Sequence, residues 1–301
     1  MMQKFELDYL ERNKRYRNIV NASLEEALIY PDAPEELLSA MRYSLLDGGK
    51  RIRPCLTIGV CDIMGGNRKM AMKLACGIEM IHTYSLIHDD LPCMDDDDLR
   101  RGKPSCHKAF GEGQAVLAGD GLLTFAFQYM LEAGLTFNDA NYYRAVAEIA
   151  KRAGIGGMVA GQSMDLISEE RGIKDEKELN YIHSHKTADM LIASILAGAL
   201  CGNPTDTQLK CLEGYGEKIG ILFQITDDIL DASGDSMLMG KTVHKDEKQN
   251  KLTYVTMYGL DKARQLAESI AAEADRLIFM TFGENCKYLH DTVQYILSRS
   301  F

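Results

Sequence analysis

Apolar residues recur at intervals of three and four positions along most of this chain. One series runs through Ile19, Val20, Leu24, Ala27 and Leu28, and another runs through Ala145, Ile149, Ala153 and Ile155. This spacing lines one face of an α-helix with apolar side chains. Runs in which β-branched or aromatic residues alternate with polar ones, which are typical of strands, are almost absent. The pattern therefore predicts an all-α protein.

Short stretches rich in glycine, proline, asparagine or aspartate divide the helical pattern. They fall at 31–34, 47–49, 65–67, 101–104, 136–138, 171–175, 202–205, 233–241 and 283–284. About ten helices remain between these breaks. The segment 191–200 is apolar on nearly every side, which predicts a helix at the centre of a bundle. Because no internal repeat or linker divides the chain, we expect one domain over residues 1–301.

Composition narrows the class of protein. The chain has 301 residues, of which 46% are hydrophobic and 26% charged, as in a folded protein. A formal net charge of −10 disfavours a nucleic-acid partner, because such proteins carry basic contact faces. The eight cysteines form no C-x-x-C pair and lie in apolar segments, which predicts core residues of a reduced compartment. No secretory signal or long apolar run is visible, so we predict a cytoplasmic protein without a membrane span.

The negative charge is concentrated in two places. One cluster comprises Asp89, Asp90, Asp95, Asp96, Asp97 and Asp98, and the other comprises Asp227, Asp228 and Asp231. Without these residues the chain would be nearly neutral. The acidity therefore points to two local sites and not to an acidic surface.

The second cluster falls on a predicted helix. At about 100° per residue, Asp227, Asp228 and Asp231 share one stripe with Gln224. Carboxylates this close repel one another unless a cation lies between them. A solvated acidic helix face is the alternative, but apolar residues precede and interrupt the cluster. Carboxylates without histidine or cysteine favour a hard cation, so we predict Mg²⁺ rather than zinc.

The first cluster needs a change of chain direction. His82, Ser85 and Asp89 share one face of an ideal helix, whereas Asp95 lies six residues beyond Asp89. Pro92 cannot continue the helix without the loss of a hydrogen bond, so we expect the helix to end or kink and Asp95 to return beside Asp89. An EF-hand calcium loop that begins at Asp95 is excluded, because it lacks the required glycine and final glutamate.

Two cationic turns accompany the carboxylates. Residues 48–54, GGKRIRP, form a glycine turn before a helix N-terminus that attracts anions, although the spacing of a P-loop is missing. Arg100 and Arg101 directly follow the first acidic cluster. A surface salt bridge with a neighbouring aspartate is the alternative role of each cation, and for Arg100 the two roles are balanced. Together, the clusters predict a protein that binds diphosphate through bridging metal ions.

Three segments resemble one known family. GGKRIRP, DDLPCMDDDDLRRGKPSCH and FQITDDILD are similar to motifs of the trans-isoprenyl diphosphate synthases (polyprenyl synthetases), and most similar to those of the bacterial farnesyl diphosphate synthases. The resemblance covers essentially the whole chain and includes residues 161–165 and 185–187. It implies an isoprenoid synthase fold, which is a single-domain bundle of ten or more helices around a central cavity, and a homodimer.

The resemblance also implies roles for individual residues. Metal ligands would be Asp89, Asp95 and Asp227, which hold about three Mg²⁺ ions, with Mn²⁺ as the alternative metal, while Asp90, Asp228 and Asp231 would hold metal-bound waters. Isopentenyl diphosphate would bind Lys50, Arg53, His82 and Arg101. The allylic diphosphate would bind Arg100, Lys186, Thr187, Gln224 and Lys241. Of these residues, Lys186, Thr187 and Gln224 would be catalytic, with Thr187 and Gln224 facing the carbocation.

The implied reaction is a condensation without a protein nucleophile. Isopentenyl diphosphate would react with dimethylallyl and then geranyl diphosphate to give farnesyl diphosphate, by ionisation, condensation and proton elimination. A geranylgeranyl diphosphate synthase of the same family is the main alternative. A class I terpene cyclase, an inactive partner subunit and a simple cation buffer are weaker alternatives, because both diphosphate-binding motifs are intact.

Product length and local shape depend on a few positions. By resemblance, Tyr84, followed by the small Ser85, would form the floor of the tail cavity, and an aromatic residue there favours fifteen carbons over twenty. Ordinary core packing is the alternative role of Tyr84. The chain departs from the family pattern at Ala188, Asp189, Val243 and His244.

Overall fold

The structure is a computed structural model, and it describes residues 4–171, 175–233 and 253–298. The first half comprises α1 (Lys4–Ala27), α2 (Glu35–Leu45), α3 (Ile52–Ile63), α4 (Arg68–Asp89), β1 (Leu99–Arg100), β2 (Lys103–Pro104), α5 (Cys106–Phe110), α6 (Glu112–Phe137) and α7 (Ala140–Ala153). The second half comprises α8 (Met158–Arg171), α9 (Glu176–Ile182), a π-helix (His183–Ala188), α10 (Asp189–Leu200), α11 (Asp206–Ser233), α12 (Tyr254–Tyr258), α13 (Leu260–Phe282), a 3-10 helix (Gly283–Cys286) and α14 (Lys287–Ser298).

These elements confirm the prediction of an all-α bundle with more than ten helices. Within the described ranges, the strands β1 and β2 are the whole sheet content, and they pair antiparallel as a short hairpin between α4 and α5. None of the described helices has an apolar stretch long enough to cross a membrane.

The helix α10 lies at the centre of the bundle, as its composition predicts. All of its residues from Asp189 to Leu200 are buried, and it packs against α3, α7 and α11. Gly198 allows the closest approach, because a Cβ atom there would lie 2.3 Å from the carbonyl oxygen of Thr57. The backbones of α10 and α3 therefore touch at this point.

A buried ion pair holds the glycine turn that precedes α3. Arg51 adopts the left-handed conformation (φ 50°) and donates from Nη1 to Glu79 Oε1 at 2.7 Å. Its side chain is 0% exposed and that of Glu79 is 2% exposed. Further donations reach Asn21 Oδ1 at 2.9 Å and the carbonyl oxygen of Leu45. Arg51 therefore ties the turn to α1, α2 and α4 and is not available to a phosphate.

The cysteines fit the prediction made from their apolar surroundings. All eight are unpaired, and the seven other than Cys93 are buried. Burial raises the pKa of Cys76 to about 12, so this thiol stays protonated and inert at neutral pH. The seven buried cysteines contribute to the core and none of the eight forms a disulfide, whereas the exposed Cys93 departs from the prediction of a core residue.

Candidate active site

A cavity of about 410 Å³ opens between α3, α4, α8 and the π-helix. Seven of the residues singled out in the sequence line it, namely Arg53, His82, Tyr84, Ser85, Asp89, Lys186 and Thr187. The remainder of the lining is largely apolar and includes Leu86, Met94, Met158 and Leu166. The cavity therefore combines charged groups with a wall suited to a hydrocarbon chain.

The turn after α4 brings the first two predicted metal ligands together. The helix ends at Asp89, and the backbone N–H of Asp95 donates to the carbonyl oxygen of Asp89 at 2.9 Å. The prediction that Pro92 ends the helix and returns Asp95 to Asp89 is thereby confirmed. The physical cause is the missing N–H of proline together with the restricted backbone of the residue before it.

Asp89 is electrostatically strained in this position. Burial raises its pKa to about 6, and the neighbouring carboxylates of Asp95 and Asp90 add to the shift. The positive charges of Lys186 and Arg100 oppose the shift without cancelling it. A carboxylate with this environment is one that a bound cation would stabilise.

Arg100 pairs with the acidic cluster. Its Nε donates to both carboxylate oxygens of Asp90 at 3.1 Å, and Asp97 lies 3.6 Å from Nη2. Asp90 is 2% exposed, so its carboxylate is almost completely shielded from solvent. The ion-pair role that the sequence left open for Arg100 is therefore present in the structure.

Cationic groups gather beside the N-terminus of α3. Arg53 Nη1 lies 3.4 Å from His82 Nε2, while Arg53 Nε is buried and has no hydrogen-bond partner among the described residues. Arg101 Nη1 donates to the carbonyl oxygen of Gly48 at 3.0 Å. Burial, followed by the charges of Arg53 and Arg101, holds the pKa of His82 well below its ordinary value. The neutral imidazole and the two guanidinium groups are suited to an anionic ligand.

Gly49 is needed for this arrangement. Its φ is +99°, and a Cβ atom there would lie 2.8 Å from the guanidinium carbon of Arg101. Lys50, by contrast, lines a different pocket of about 230 Å³ together with Lys14 and Arg17. The structure therefore groups three of the four residues predicted for isopentenyl diphosphate and places Lys50 at a separate pocket.

Two polar contacts connect the π-helix with neighbouring helices. Thr187 Oγ1 donates to Gln224 Oε1 of α11 at 2.5 Å. Lys186 Nζ donates to Asp165 Oδ2 of α8 at 2.5 Å. These contacts bring the predicted catalytic residues Lys186, Thr187 and Gln224 to one edge of the cavity.

The carboxylates of α11 divide into different environments. Asp227 is half-buried, and its charge attracts that of Arg53. Asp228 is buried, and its Oδ2 accepts the backbone N–H of Tyr254 at 2.8 Å, at the first turn of α12. Asp231 is also buried. Asp228 therefore has a structural contact that the sequence pattern does not reveal.

A tight group of possible metal ligands lies beside the predicted ones. Among the residues described, Asp96, Asp98 and His107 bring one ligand atom each within 4.8 Å of one another. The predicted set of Asp89, Asp95 and Asp227 is not grouped so closely. The aspartate-rich segment thus contains carboxylates that a divalent cation can use.

Some cavity residues have no assigned role in the sequence. Gln162 lies on α8, and both polar atoms of its side chain are buried without a hydrogen-bond partner among the described residues. Gln162 belongs to the segment 161–165, which is similar to the family's motifs. That similarity could have marked this position as part of the site. Lys241, Val243 and His244 lie outside the described residues. The departures at Ala188 and Asp189 fall on the junction between the π-helix and α10.

Residues 34–277 match the sequence model of the polyprenyl synthetase family. The chain therefore belongs to this family of prenyltransferases. It is similar to the chloroplastic geranylgeranyl pyrophosphate synthase of Catharanthus roseus, with 46% identity over 94% of this chain and 79% of that protein. The corresponding chloroplastic enzyme of Capsicum annuum is 48% identical over 85% of this chain and 69% of that protein.

Solved structures of similar proteins agree with the fold. A FPP/GFPP synthase from Zymomonas mobilis superposes with a TM-score of 0.87 at 33% identity and covers 97% of this chain and 99% of that one. A geranyltransferase from Legionella pneumophila has a TM-score of 0.87 at 31% identity over 98% of each chain. The predicted isoprenoid synthase fold is thereby confirmed.

Proposed function

We propose that this protein is a Mg²⁺-dependent prenyltransferase that extends allylic diphosphates with isopentenyl diphosphate, and that its main product is geranylgeranyl diphosphate. The observation that carries the reaction is the shared cavity, in which Asp89, Lys186 and the Arg53–His82 pair surround an apolar wall. The product is supported by the similarity to plant geranylgeranyl pyrophosphate synthases over most of the chain. These relatives favour the geranylgeranyl alternative over the farnesyl product expected from the sequence motifs.

One structural feature favours the farnesyl product as a second candidate. Tyr84 is 7% exposed, lines the cavity, and its ring stands edge-on to that of His88 with the centroids 5.7 Å apart. A bulky side chain held in this way would shorten the space for a growing tail. The two candidates therefore differ in whether Tyr84 closes the cavity at fifteen carbons.

The residues of the first turn fit a hard divalent cation. A backbone hydrogen bond joins Asp95 to Asp89, and burial together with the charge of Asp95 raises the pKa of Asp89. We assign these residues and Asp227 as the metal ligands. When bound, Mg²⁺ would neutralise the charge that develops on the departing diphosphate.

The chain's own groups supply binding and positioning. Arg53, His82 and Arg101 would hold the diphosphate of the homoallylic substrate, with the orphaned Nε of Arg53 as one donor. Lys186 would donate to the allylic diphosphate. The oxygens of Thr187 and Gln224 would stabilise positive charge on the allylic carbon, because their dipoles already lie at the cavity edge. The apolar wall excludes water, which would otherwise trap the carbocation.

We also propose a homodimer. Three leucines on α6, Leu117, Leu131 and Leu135, are 54%, 45% and 77% exposed and share one helical face. Exposed apolar residues grouped in this way are typical of a surface that another chain covers. The cytoplasmic location stays a prediction.

The product assay decides between the two candidates. Purified protein with Mg²⁺, isopentenyl diphosphate and dimethylallyl diphosphate should give geranylgeranyl diphosphate, identified by chromatography after removal of the phosphates. If Tyr84 closes the cavity, as the farnesyl candidate requires, Tyr84→Ala should lengthen the product, whereas the geranylgeranyl candidate leaves the product length unchanged. Tyr84→Phe, which keeps the ring, serves as the matched control. A fifteen-carbon end product from the unmodified protein would support the farnesyl candidate, and a folded protein without any prenyl product would reject the proposal.

A further inference from the structure

Asp189 has two partners at the start of the central helix. It is 7% exposed and directly follows the π-helix that carries Lys186 and Thr187. Its Oδ1 accepts from Arg152 Nη1 at 2.6 Å, and its Oδ2 lies 2.7 Å from His185 Nδ1. One carboxylate therefore joins the end of α7, the π-helix and α10.

Arg152 is a well-anchored partner. Its Nε donates to Glu148 Oε1 at 2.6 Å within α7, and its Nη2 contacts Glu213 of α11. Only 9% of the residue is exposed. A guanidinium group that is fixed by partners on three helices holds Asp189 in one place, because each of its three nitrogens donates to a carboxylate.

His185 transmits this position to the π-helix. Its ring packs against that of Tyr181 at an interplanar angle of 55°, with the centroids 4.3 Å apart, which restricts the motion of the imidazole. The neighbouring backbone is equally constrained, since a Cβ atom on Gly161 of α8 would lie 2.2 Å from the backbone nitrogen of Lys186. The π-helix is thus packed against α8 on one side and held by the Asp189–Arg152 ion pair on the other.

A π-helical turn is wider than an α-helical one and seldom forms without outside support. Here it changes the direction of the side chains, so that Lys186 reaches Asp165 and the cavity while Thr187 reaches Gln224. If the turn relaxed to regular α-helix, the positions of residues 186 and 187 would shift relative to those of α10.

We propose that Asp189, held by Arg152, is a positioning residue that keeps the turn 183–188 in its π-helical form and so keeps Lys186 and Thr187 directed at the allylic substrate. This inference rests on the proposed function for its effect on the reaction. Its effect on the turn itself is independent of that function.

The test uses three variants, which are Asp189→Ala, Arg152→Met and the double variant Asp189→Ala/Arg152→Met. A fourth variant, Glu148→Gln, is compared with them. The last variant is the matched control, because it neutralises one carboxylate partner of the same guanidinium without touching the turn. We expect Asp189→Ala to lower kcat about 10- to 100-fold and to raise KM for the allylic diphosphate, since small misplacements of binding groups have effects of this size. KM for isopentenyl diphosphate should not change. The double variant should be no worse than Asp189→Ala.

Hydrogen exchange provides a readout that does not depend on activity. Amides of residues 183–188 should exchange faster in Asp189→Ala than in the unmodified protein and in Glu148→Gln, without a matching change in α13. Asp189→Asn keeps the size of the side chain and one acceptor oxygen, so its exchange rate at residues 183–188 should fall between those of the unmodified protein and Asp189→Ala. It replaces the alanine variant if that variant does not fold.

Two results would overturn the inference. One is an Asp189 variant with unchanged exchange at 183–188. The other is an Asp189 variant that loses activity only because less of the protein is folded. Its melting temperature would then be lower, while both KM values would be unchanged. An inactive unmodified protein would reject the proposed function, whereas the exchange comparison would still decide whether Asp189 holds the turn.

Discussion

Replacement of Asp89 by asparagine should stabilise the metal-free protein while it abolishes the reaction. Asp89 is half-buried at the end of α4, and burial with the neighbouring carboxylates raises its pKa from 3.8 to about 6. At pH 7.5 the carboxylate is ionised in a place that disfavours the charge. Asparagine has nearly the same shape and carries no charge, so the variant removes this penalty.

The magnitude follows from the size of the pKa shift. Each unit corresponds to about 1.4 kcal/mol, so a shift of roughly two units is equivalent to about 3 kcal/mol. With an unfolding entropy of about 2 cal/mol/K per residue, the expected rise in melting temperature is roughly 5 °C for a chain of this length.

The pH dependence has a definite sign. A raised pKa means that the folded protein binds a proton at a pH where the unfolded chain has released it. The free energy of unfolding of the unmodified protein should therefore fall, through this group, as the pH rises from about 4 to about 6. Asp89→Asn lacks this dependence, so the two proteins should differ little at pH 4 and most above pH 7.

The assay is thermal unfolding by circular dichroism in EDTA at pH 4 and pH 7.5, with activity measured separately in Mg²⁺. The control is Asp32→Asn, because Asp32 is an exposed carboxylate in the turn before α2. Saturating Mg²⁺ with a diphosphate should reduce or reverse the difference in melting temperature between Asp89→Asn and the unmodified protein. The reason is that bound cations stabilise the carboxylate of Asp89, which the variant lacks. The reasoning fails if Asp89→Asn is no more stable than the unmodified protein at pH 7.5, or if it keeps full activity.

Two further predictions test the packing and the assembly. Gly161→Ala should impair the reaction at least tenfold, because the new Cβ would lie 2.2 Å from a backbone atom of Lys186 that cannot rotate away. Gly113→Ala is its control, with no atom within 4 Å of the new Cβ, and equal kinetics of the two variants would contradict the argument. The solution mass from light scattering should be that of a dimer and should fall to that of the monomer in Leu117→Glu/Leu135→Glu, whereas a monomeric unmodified protein would reject the assembly.

Much of the local structure could be predicted from the sequence. The apolar spacing is a property of neighbours along the chain, so it correctly predicted the helices and the buried position of α10. Pro92 acts on its own backbone and on the residue before it, which is why the return of Asp95 to Asp89 was predictable. The concentration of carboxylates likewise marked the segments that meet at the cavity.

Contacts between segments that are distant along the chain could not be predicted from the local sequence pattern. Arg51 was one of three cations in the glycine turn, yet it is buried against Glu79. Asp228 resembles its neighbour Asp227 in the sequence, but its carboxylate accepts the first backbone N–H of α12. Asp189 stood out only as a departure from the family pattern until its contacts with Arg152 and His185 were visible.

The reason for this difference is physical. Helical periodicity, proline and clustered charge act over a few residues, so the amino-acid sequence alone determined the helices, the turn after α4 and the chemical type of the site. The partner of a charged side chain depends on which elements fold against each other. Only the tertiary structure decided which cations were left to face the cavity and which were already paired within the protein.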